Sequence, residues 1–478
     1  MNAFALVPLP KSLHFISDYS WPFEATVYAE EEAFFPAARA LCDAVQKTYG
    51  IYACMTDKRT FFSPSDVHGA HVLFCRAEMK EEAYRIEAVQ GRATLYASTP
   101  AGAAHAASAL FQMILTEKDR VMLPEFTLSD LPDKEWRGVM LDLARNYIPL
   151  GAILRTVDLC WLVRCNRLHL HFADSDVYRL PSMAYPKLCH VDAYTKEEIA
   201  FLNQYAAARG VMVIPEIELP GHAAVFSRAY PDYFANSDVP GEAICPGKPG
   251  VFDRLESVLR EVALLFPETP YLHIGGDEVN TESWEDCNDC RTYRKAHRLE
   301  DAHSLYAHCI ARLAQIVVKL GRTPIVWEGF PAKGSESIPR ETIVMEFESL
   351  YQDAPDLIKV GFRLINAAWK PLYLVPQSHV FPSSNPEAIY AWHPHRWDHW
   401  FQKSHAFLDG IEVEPTDDVL GAQVCMWEAD DLHSADIVRQ TLVTLSERGW
   451  NLERQMSFET FWSRATALLE RAAPLIGR

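Results

Sequence analysis

Tyr271-Leu272-His273-Ile274-Gly275-Gly276-Asp277-Glu278 joins a short apolar run to two glycines and then to two adjacent carboxylates. The apolar part reads as a buried strand, and the glycine pair lets the backbone turn and a bulky ligand come close. Two acids at such a strand end repel each other unless their surroundings separate their proton affinities. That separation is what acid–base chemistry uses. The bland alternative is a solvated acidic turn, and the buried strand and double glycine weigh against it.

Two further patterns bear on metals. His169-x-His171 lies on an apolar run, where alternate residues share one side and both imidazoles could reach one ion. Both precede the strand end, however, and no matched third and fourth ligands stand out. Cys287-x-x-Cys290 is the only close cysteine pair, and one CxxC without a second pair is weak evidence for zinc. Neither a metal nor a cofactor is expected from the sequence.

The elements that must position Asp277 and Glu278 follow from periodicity. Past Trp136, eight apolar runs alternate with amphipathic stretches: RGVMLDLA, RLHLHFA, VMVIPEI, YLHIGG, TPIVWEG, TIVMEF, FRLINAAW and VLGAQVCMW. Strands alternating with helices over residues 131–478 predict a (β/α)8 TIM barrel. The connection at about 376–417 shows no clear helix and many aromatics, and reads as an irregular insertion. Its stretch Tyr390–Trp400 fits either a loop over the cleft or a packed cap, and insertions at a catalytic face favour the loop. A last helix carries Phe458, Phe461, Trp462, Ala465 and Leu469 on one stripe, expected to pack on the barrel exterior. Residues 1–130 predict a small N-terminal α/β (α+β) domain. It has strands at HVLFCRAE and YRIEAVQGRATLYAS, the latter a hairpin turned at Gln90-Gly91, and a helix from Thr99-Pro100 to about Leu115. MLPEFTLSDLPDKEW reads as a linker.

Barrel enzymes hold reacting groups at the C-terminal strand ends. Here those ends carry Asp142 and Arg145, Asp174, Glu216 and Glu218 with His222, Asp277-Glu278, Trp327-Glu328, Glu346 and Glu348, Trp369, and Trp427-Glu428. Recurring carboxylates and tryptophans suit a sugar. The C–H face of a pyranose stacks on an indole, and hydroxyls bond strongly to charged acceptors. Each Trp taken singly fits core packing as well; the set beside acids does not.

Composition narrows the partners. The 478 residues are 49% hydrophobic and 23% charged, a folded globular balance, with a net charge of −19. That charge argues against nucleic acid, which is bound through Lys and Arg clusters. No run of about 18 apolar residues occurs, so no membrane span is expected. The N-terminal MNAFALVPLPKSLHF lacks an export-signal pattern, and the eleven cysteines are odd in number and scattered, which together predict a reduced, cytoplasmic protein. The expected partner is a small-molecule glycoside, and the oligomeric state is left open.

The chain resembles the β-N-acetylhexosaminidases of glycoside hydrolase family 20 along nearly its whole length. HIGGDE looks like that family's signature. WRGVMLDLARNY, NRLHLHFAD and YAAARGVMVIPEIELPGHA resemble its first three barrel strands. LVPLPKSL with ATLYASTPAGAAHAASALFQMI resembles the small domain before the barrel. The resemblance implies an exo-acting, retaining hydrolase of terminal N-acetyl-glucosamine or -galactosamine residues, working by substrate assistance. In that route the 2-acetamido carbonyl attacks the anomeric carbon to give an oxazolinium. Glu278 would be the general acid and then base, Asp277 would hold the acetamide, and Tyr373 would donate to its carbonyl. His222 and Asp174 match a pair behind the general acid. Arg137 matches the arginine gripping the distal hydroxyls; Trp327, Trp427 and Trp369 match pocket walls, with Glu428 a further substrate contact. On this reading Asp277 stays ionised and Glu278 is held protonated by an apolar setting.

Departures from the family pattern are local. The third strand ends Pro215-Glu216-Ile217-Glu218 where PEID is usual, and Ser175 follows Asp174 in place of a second Asp. Tyr373-Leu374-Val375 replaces Tyr-Leu-Asp, Glu428 directly follows Trp427, and Phe347 stands where a Trp is frequent. These bear on the 4- and 6-hydroxyls, hence on glucosamine against galactosamine preference. Two other readings, a metal-dependent barrel hydrolase and a non-catalytic sugar-binding protein, compete with the glycosidase. The spaced aspartates of the other substrate-assisted chitinase class are absent.

Overall fold

Gln90 and Gly91 both take positive φ, 50° and 76°, the twist a two-residue hairpin turn needs between β5 (Tyr84–Val89) and β6 (Arg92–Ala97). That hairpin sits inside the N-terminal sheet, whose other strands are β1 (Ser12–Pro22), β2 (Thr26–Ala29), β3 (Cys54–Met55), β4 (His71–Arg76), β7 (Leu115–Glu117) and β8 (Arg120–Asp130). Strand order is β1-β8-β5-β6-β4-β2-β3, with β7 on β8. The computed structural model describes residues 6–23, 26–55, 71–236, 241–376, 384–429 and 432–477; the extreme N-terminal residues read above for an export signal, and 377–383 of the insertion, lie outside them.

The stretch read as a linker is mostly β8. Its Pro124 is tolerated because it pairs only with β1, next to a register shift between Phe15 and Ser20, before the pairing of β8 with β5 begins at Phe126. The helix Pro100–Met113 is capped by Thr99, which accepts from the Gly102 amide, and is buried from Gly102 to its end. A helix apolar all round needs cover on every side. It lies between the N-terminal sheet and the barrel, where Trp161 donates to the Ala104 carbonyl at 3.1 Å and Ser108 to that of Leu162 at 2.9 Å.

All eight expected barrel strands form: β9 (Trp136–Asp142), β10 (Arg167–Ala173), β11 (Met212–Ile217), β12 (Tyr271–His273), β13 (Thr323–Trp327), β14 (Ile343–Glu346), β15 (Arg363–Asn366) and, after the insertion, Val419–Met426. They run parallel and close, Val419–Met426 pairing with both β15 and β9. The insertion is more regular than expected. Just before it comes β16 (Tyr373–Leu374), laid parallel on Cys425 and Met426, and it holds a six-residue helix Pro386–Ala391 capped by Asn385 and a ladder of β17 (Arg396–Trp397) with β18 (Ile411–Glu412). Val419–Met426 is therefore β19. Segments this short leave no periodicity to read. Trp392 and Trp397 are buried, and Asn366 donates to the carbonyls of Pro394 and Arg396, so most of the aromatic stretch is a packed cap. From this stretch, His399 and Trp400 reach the ring of Trp369, at 5.7 and 5.9 Å. In the helix Phe458–Arg471 the buried residues are Phe461, Ala465 and Leu468; Phe461 stacks on Tyr390 at 4.7 Å, so its cover is the insertion and the preceding helix.

Arg137 is at the wrong end of the barrel for a sugar. It lies five residues before Asp142 on β9, about 16 Å down a strand rising roughly 3.3 Å per residue. Fully buried, it pairs with Glu82 of the N-terminal domain at 2.7 Å, donates to the Arg164 carbonyl at 3.1 Å and lies 5.0 Å from the Trp450 ring. Its work is to join the two domains. Arg137→Met is expected to lose about 3–5 kcal/mol of stability in urea unfolding, because Glu82 is left unpaired in the interface; a loss under ~1 kcal/mol would remove this assignment.

Candidate active site

Glycine is required where β12 ends. Gly275 (φ 69°) and Gly276 (φ 115°) turn the chain, and a Cβ on Gly275 would lie 1.9 Å from a Glu218 carboxylate oxygen. Glu218 uses that closeness to accept from the Gly276 amide at 2.8 Å, and Tyr306 donates to the Gly276 carbonyl. The turn delivers Asp277 and Glu278 to the C-terminal mouth in different settings. Asp277 is 9% exposed and its Oδ1 is buried with no hydrogen-bond partner among the described residues. The Glu278 side chain is 54% exposed.

Three consecutive loops meet at Glu278. His222, from the loop after β11, places Nε2 3.2 Å from Glu278 Oε2 and Nδ1 3.5 Å from Oδ1 of Asp174, which follows β10. His222 and Glu278 both have φ in the left-handed region, 44° and 47°, sparsely populated for such side chains and held by the surrounding contacts. Behind Asp174 the chain continues inward. His171 bonds Asp174 at 3.0 Å through Nε2 and Glu216 at 2.5 Å through Nδ1, and Glu216 also accepts from the Trp327 indole at 2.6 Å.

Charges alternate along this chain. Burial opposes the charge on Glu216, but His273, His171 and His169 outweigh it and hold the carboxyl well below its ordinary value. His171 loses proton affinity to burial and gains more from Glu216 and Asp174, ending at about 10. Asp174, likewise penalised by burial, is held far below the usual range by hydrogen bonds from His171 and His222 and by the Arg145 charge. His222, buried yet faced by Asp174, Glu278 and Asp277, is pushed up to about 11. The hydrogen bond from His222 then pulls Glu278 down, against its partial burial. Asp277 moves up through burial and the charges of Glu278 and Glu216, despite His222. Both shifts run opposite to the directions expected from the sequence, which had Asp277 favoured as the ionised acid and Glu278 as the protonated one. The cause is His222, an imidazolium on the partly exposed acid, while Asp277 is left dry and unpaired.

Arg145, beyond the end of β9, is the guanidinium at this mouth. It pairs with Asp142 at 3.0 Å and Asp174 at 2.7 Å, lies 5.1 Å from the Trp427 ring, and its side chain is 25% exposed. Its signal was in the sequence, since it follows a strand end and Arg137 precedes one. Tyr373 is carried over the mouth by β16. It stacks on Trp369 at 4.3 Å and on Phe347 at 5.8 Å, with Trp427 6.0 Å away. Trp369 and Trp427 are partly buried and present wall surface. Trp327 is fully buried 6.1 Å beneath Trp427, so it supports the wall from behind and does not line it. Glu428 is exposed at the rim, its amide 3.3 Å from Asp142. Glu348 was seen at a strand end but given no part; it faces Glu278 and Asp277, and burial first, then those charges and Glu328, push its carboxyl up to about 8.

The His169-x-His171 pattern finds company the sequence did not reveal. His169 and His273 stand 3.0 and 2.9 Å from Glu216, deep in the barrel. These imidazoles surround one carboxylate that already accepts from Trp327 and His171, beneath the mouth where a substrate enters.

A closed parallel barrel whose mouth gathers carboxylates, a guanidinium and partly exposed indoles defines a (β/α)8 protein with a sugar-type site. Comparison with known proteins agrees. The profile "Glycosyl hydrolase family 20, catalytic domain" matches residues 135–453 and "Glycosyl hydrolase family 20, domain 2" matches residues 3–131. The chain belongs to glycosyl hydrolase family 20. It is similar to a beta-hexosaminidase of Akkermansia muciniphila, 33% identical over 298 residues, which covers 56% of this chain and 58% of that protein. It is also similar to one of Vibrio furnissii, 28% identical over 337 residues, covering 64% and 54%. These alignments span little more than half the length of either relative. Among solved structures, the exo β-N-acetylglucosaminidase of Vibrio harveyi in complex with N-acetylglucosamine superposes with a TM-score of 0.81 at 21% identity, covering 98% of this chain and 77% of that one. The β-N-acetylhexosaminidase of Streptomyces coelicolor gives 0.75 at 21%, covering 99% and 97%. At such identity these likenesses concern the fold.

The Glu348 carboxyl is raised from 4.5 to about 8 in the folded chain. A raised value contributes stability that is fully present below the unfolded value and lost as pH rises through the folded one. Glu348→Gln, which does not ionise, is expected to match the parent's Tm near pH ~4 and to exceed it increasingly toward pH ~9. A Tm difference that is flat with pH would contradict the assignment.

Proposed function

We propose that this protein hydrolyses terminal β-linked N-acetylhexosaminides from the non-reducing end, with retention and with the substrate's own acetamide as nucleophile. The observation that carries the reading is the buried, unpartnered Oδ1 of Asp277 beside the half-exposed Glu278. A buried acceptor without a donor is costly, and an acetamide N–H entering the pocket supplies the donor. That N–H and the positive charge that develops as the carbonyl oxygen attacks both favour the ionised form of Asp277. Tyr373, stacked on Trp369 and Phe347, donates to the acetamide carbonyl in this reading.

Glu278 performs the proton transfers. A sugar seated over it displaces solvent from the carboxylate and raises its proton affinity, so that Glu278 enters the reaction protonated from solvent while His222 keeps its own proton. The acid protonates the glycosidic oxygen as the acetamide oxygen bonds to the anomeric carbon and the aglycone leaves. Glu278 then takes a proton from water, which opens the oxazolinium on the same face. Arg145 takes the hydroxyl-gripping part that the resemblance assigned to Arg137, because it is the partly exposed guanidinium at the mouth. Trp369 and Trp427 offer rings for the sugar's apolar face.

Nitrophenyl β-glycosides test this directly. N-acetylglucosaminide or N-acetylgalactosaminide is expected to be cleaved and plain glucoside spared, with inhibition by a thiazoline mimic of the oxazolinium. Glu278→Gln is expected to lower kcat by about 100- to 10,000-fold with sugar binding nearly unchanged. Equal cleavage of the plain glucoside, or full activity in Glu278→Gln, would sink the reading.

A further inference from the structure

Cys287 and Cys290 gain a third partner in the fold. Cys245, from the loop before the helix Val251–Leu265, places its sulfur 3.5 Å from that of Cys287 and 3.4 Å from that of Cys290. All three are buried. These separations are far beyond a disulfide's ~2.05 Å. They approach the edge of a tetrahedron of sulfurs around zinc, roughly 3.8 Å for Zn–S bonds of about 2.3 Å. Three thiols pointing at one spot in a core bury their lone pairs against one another, and a cation is what turns that arrangement into bonds.

The local backbone is shaped for it. Gly247 passes so close to Asp289 that a Cβ there would lie 2.3 Å from the Asp289 carbonyl carbon, so this position requires glycine. The Gly247 amide faces the sulfurs of both Cys245 and Cys290. Such amides stabilise metal-bound thiolate, as surrounding donors do for other ligands. Lys248 and Asp289 close the junction from outside at 3.3 Å.

We propose that Cys245, Cys287 and Cys290 bind one thiophilic divalent metal ion, of which zinc is the type, as a staple between the loops that follow β11 and β12. Those are the loops that carry His222 and Glu278. Other bonds join the same two loops: Trp284 donates its indole N–H to the Ile244 carbonyl at 2.9 Å, and Asn236 its side-chain amide to the Ser283 carbonyl at 2.7 Å. A metal bridging Cys245 to Cys287 and Cys290 fixes one of these loops against the other. The ion is structural and takes no part in the glycosidic chemistry, and its presence is read without any turnover.

Full-length protein purified under reducing conditions, with neither metal nor chelator added, is expected to carry about one zinc per chain by elemental analysis. Titrating the thiols with a mercurial is expected to release that zinc and lower Tm, with recovery on adding reductant and zinc. Cobalt exchanged into the site is expected to show thiolate-to-cobalt charge-transfer absorption, absent from a Cys245→Ser, Cys290→Ser double variant. Should that variant fail to fold, the metal content and cobalt spectrum of the wild type decide. Protein with no bound zinc and no cobalt absorption after reconstitution would overturn the proposal, as would a disulfide between two of these cysteines in freshly purified material.

Discussion

An alternating line of charge, Glu216–His171–Asp174–His222–Glu278, runs from the barrel's interior to its mouth, and the other features of the site are arranged around it. Buried charges are tolerable only when paired and hydrogen-bonded, and each inner member here has an opposite charge on both sides. The inner end is anchored by the Trp327 indole and two further imidazoles on Glu216. At the outer end His222 is partly exposed and Glu278 more so. The loops after three successive strands are thereby held in one register, although no backbone ladder joins them at that height.

Asp277 is the acid that this line leaves out. Glu218 and Glu348 stand near it, both with raised proton affinity, so the mouth holds several carboxyls of which only some are ionised together. Arg145 supplies a fixed positive charge, shared between Asp142 and Asp174, that offsets part of the repulsion. On the proposed function, a sugar filling the pocket would displace solvent from Glu278 and bring a donor to Asp277, and both changes would oppose the shifts the folded chain imposes on the pair.

The N-terminal domain contributes at the opposite end. Glu82 meets Arg137 and His105, and Arg164 meets Tyr84, so its polar groups close the barrel's base while the helix Pro100–Met113 fills the space between the two bodies. Trp450, near both Arg137 and Arg164, belongs to the same buried joint. None of this approaches the mouth. Separation of the two ends lets the base carry stability while the mouth tolerates positive φ and unpaired acceptors.

Periodicity and order of motifs determined the eight strands, the two domains and the place of Asp277, Glu278, His222 and Asp174, because a strand's end is visible where an apolar run stops; Tyr373 followed from the family resemblance alone. Which arginine stands at that end was legible too, had distance along β9 been counted: Arg137 lies a strand's length below Arg145. Other facts were out of reach of any local reading. That Trp327 is sealed behind Trp427, and that His222 lowers Glu278 while Asp277 is raised, depends on neighbours contributed by separate loops. Cys245 is far in sequence from Cys287 and Cys290, and only the packing of two loops puts its sulfur beside theirs. Sequence spacing reports what one element can present; proton affinity, burial and ligand sets are sums over all the elements that converge, and those sums exist only once the chain is folded.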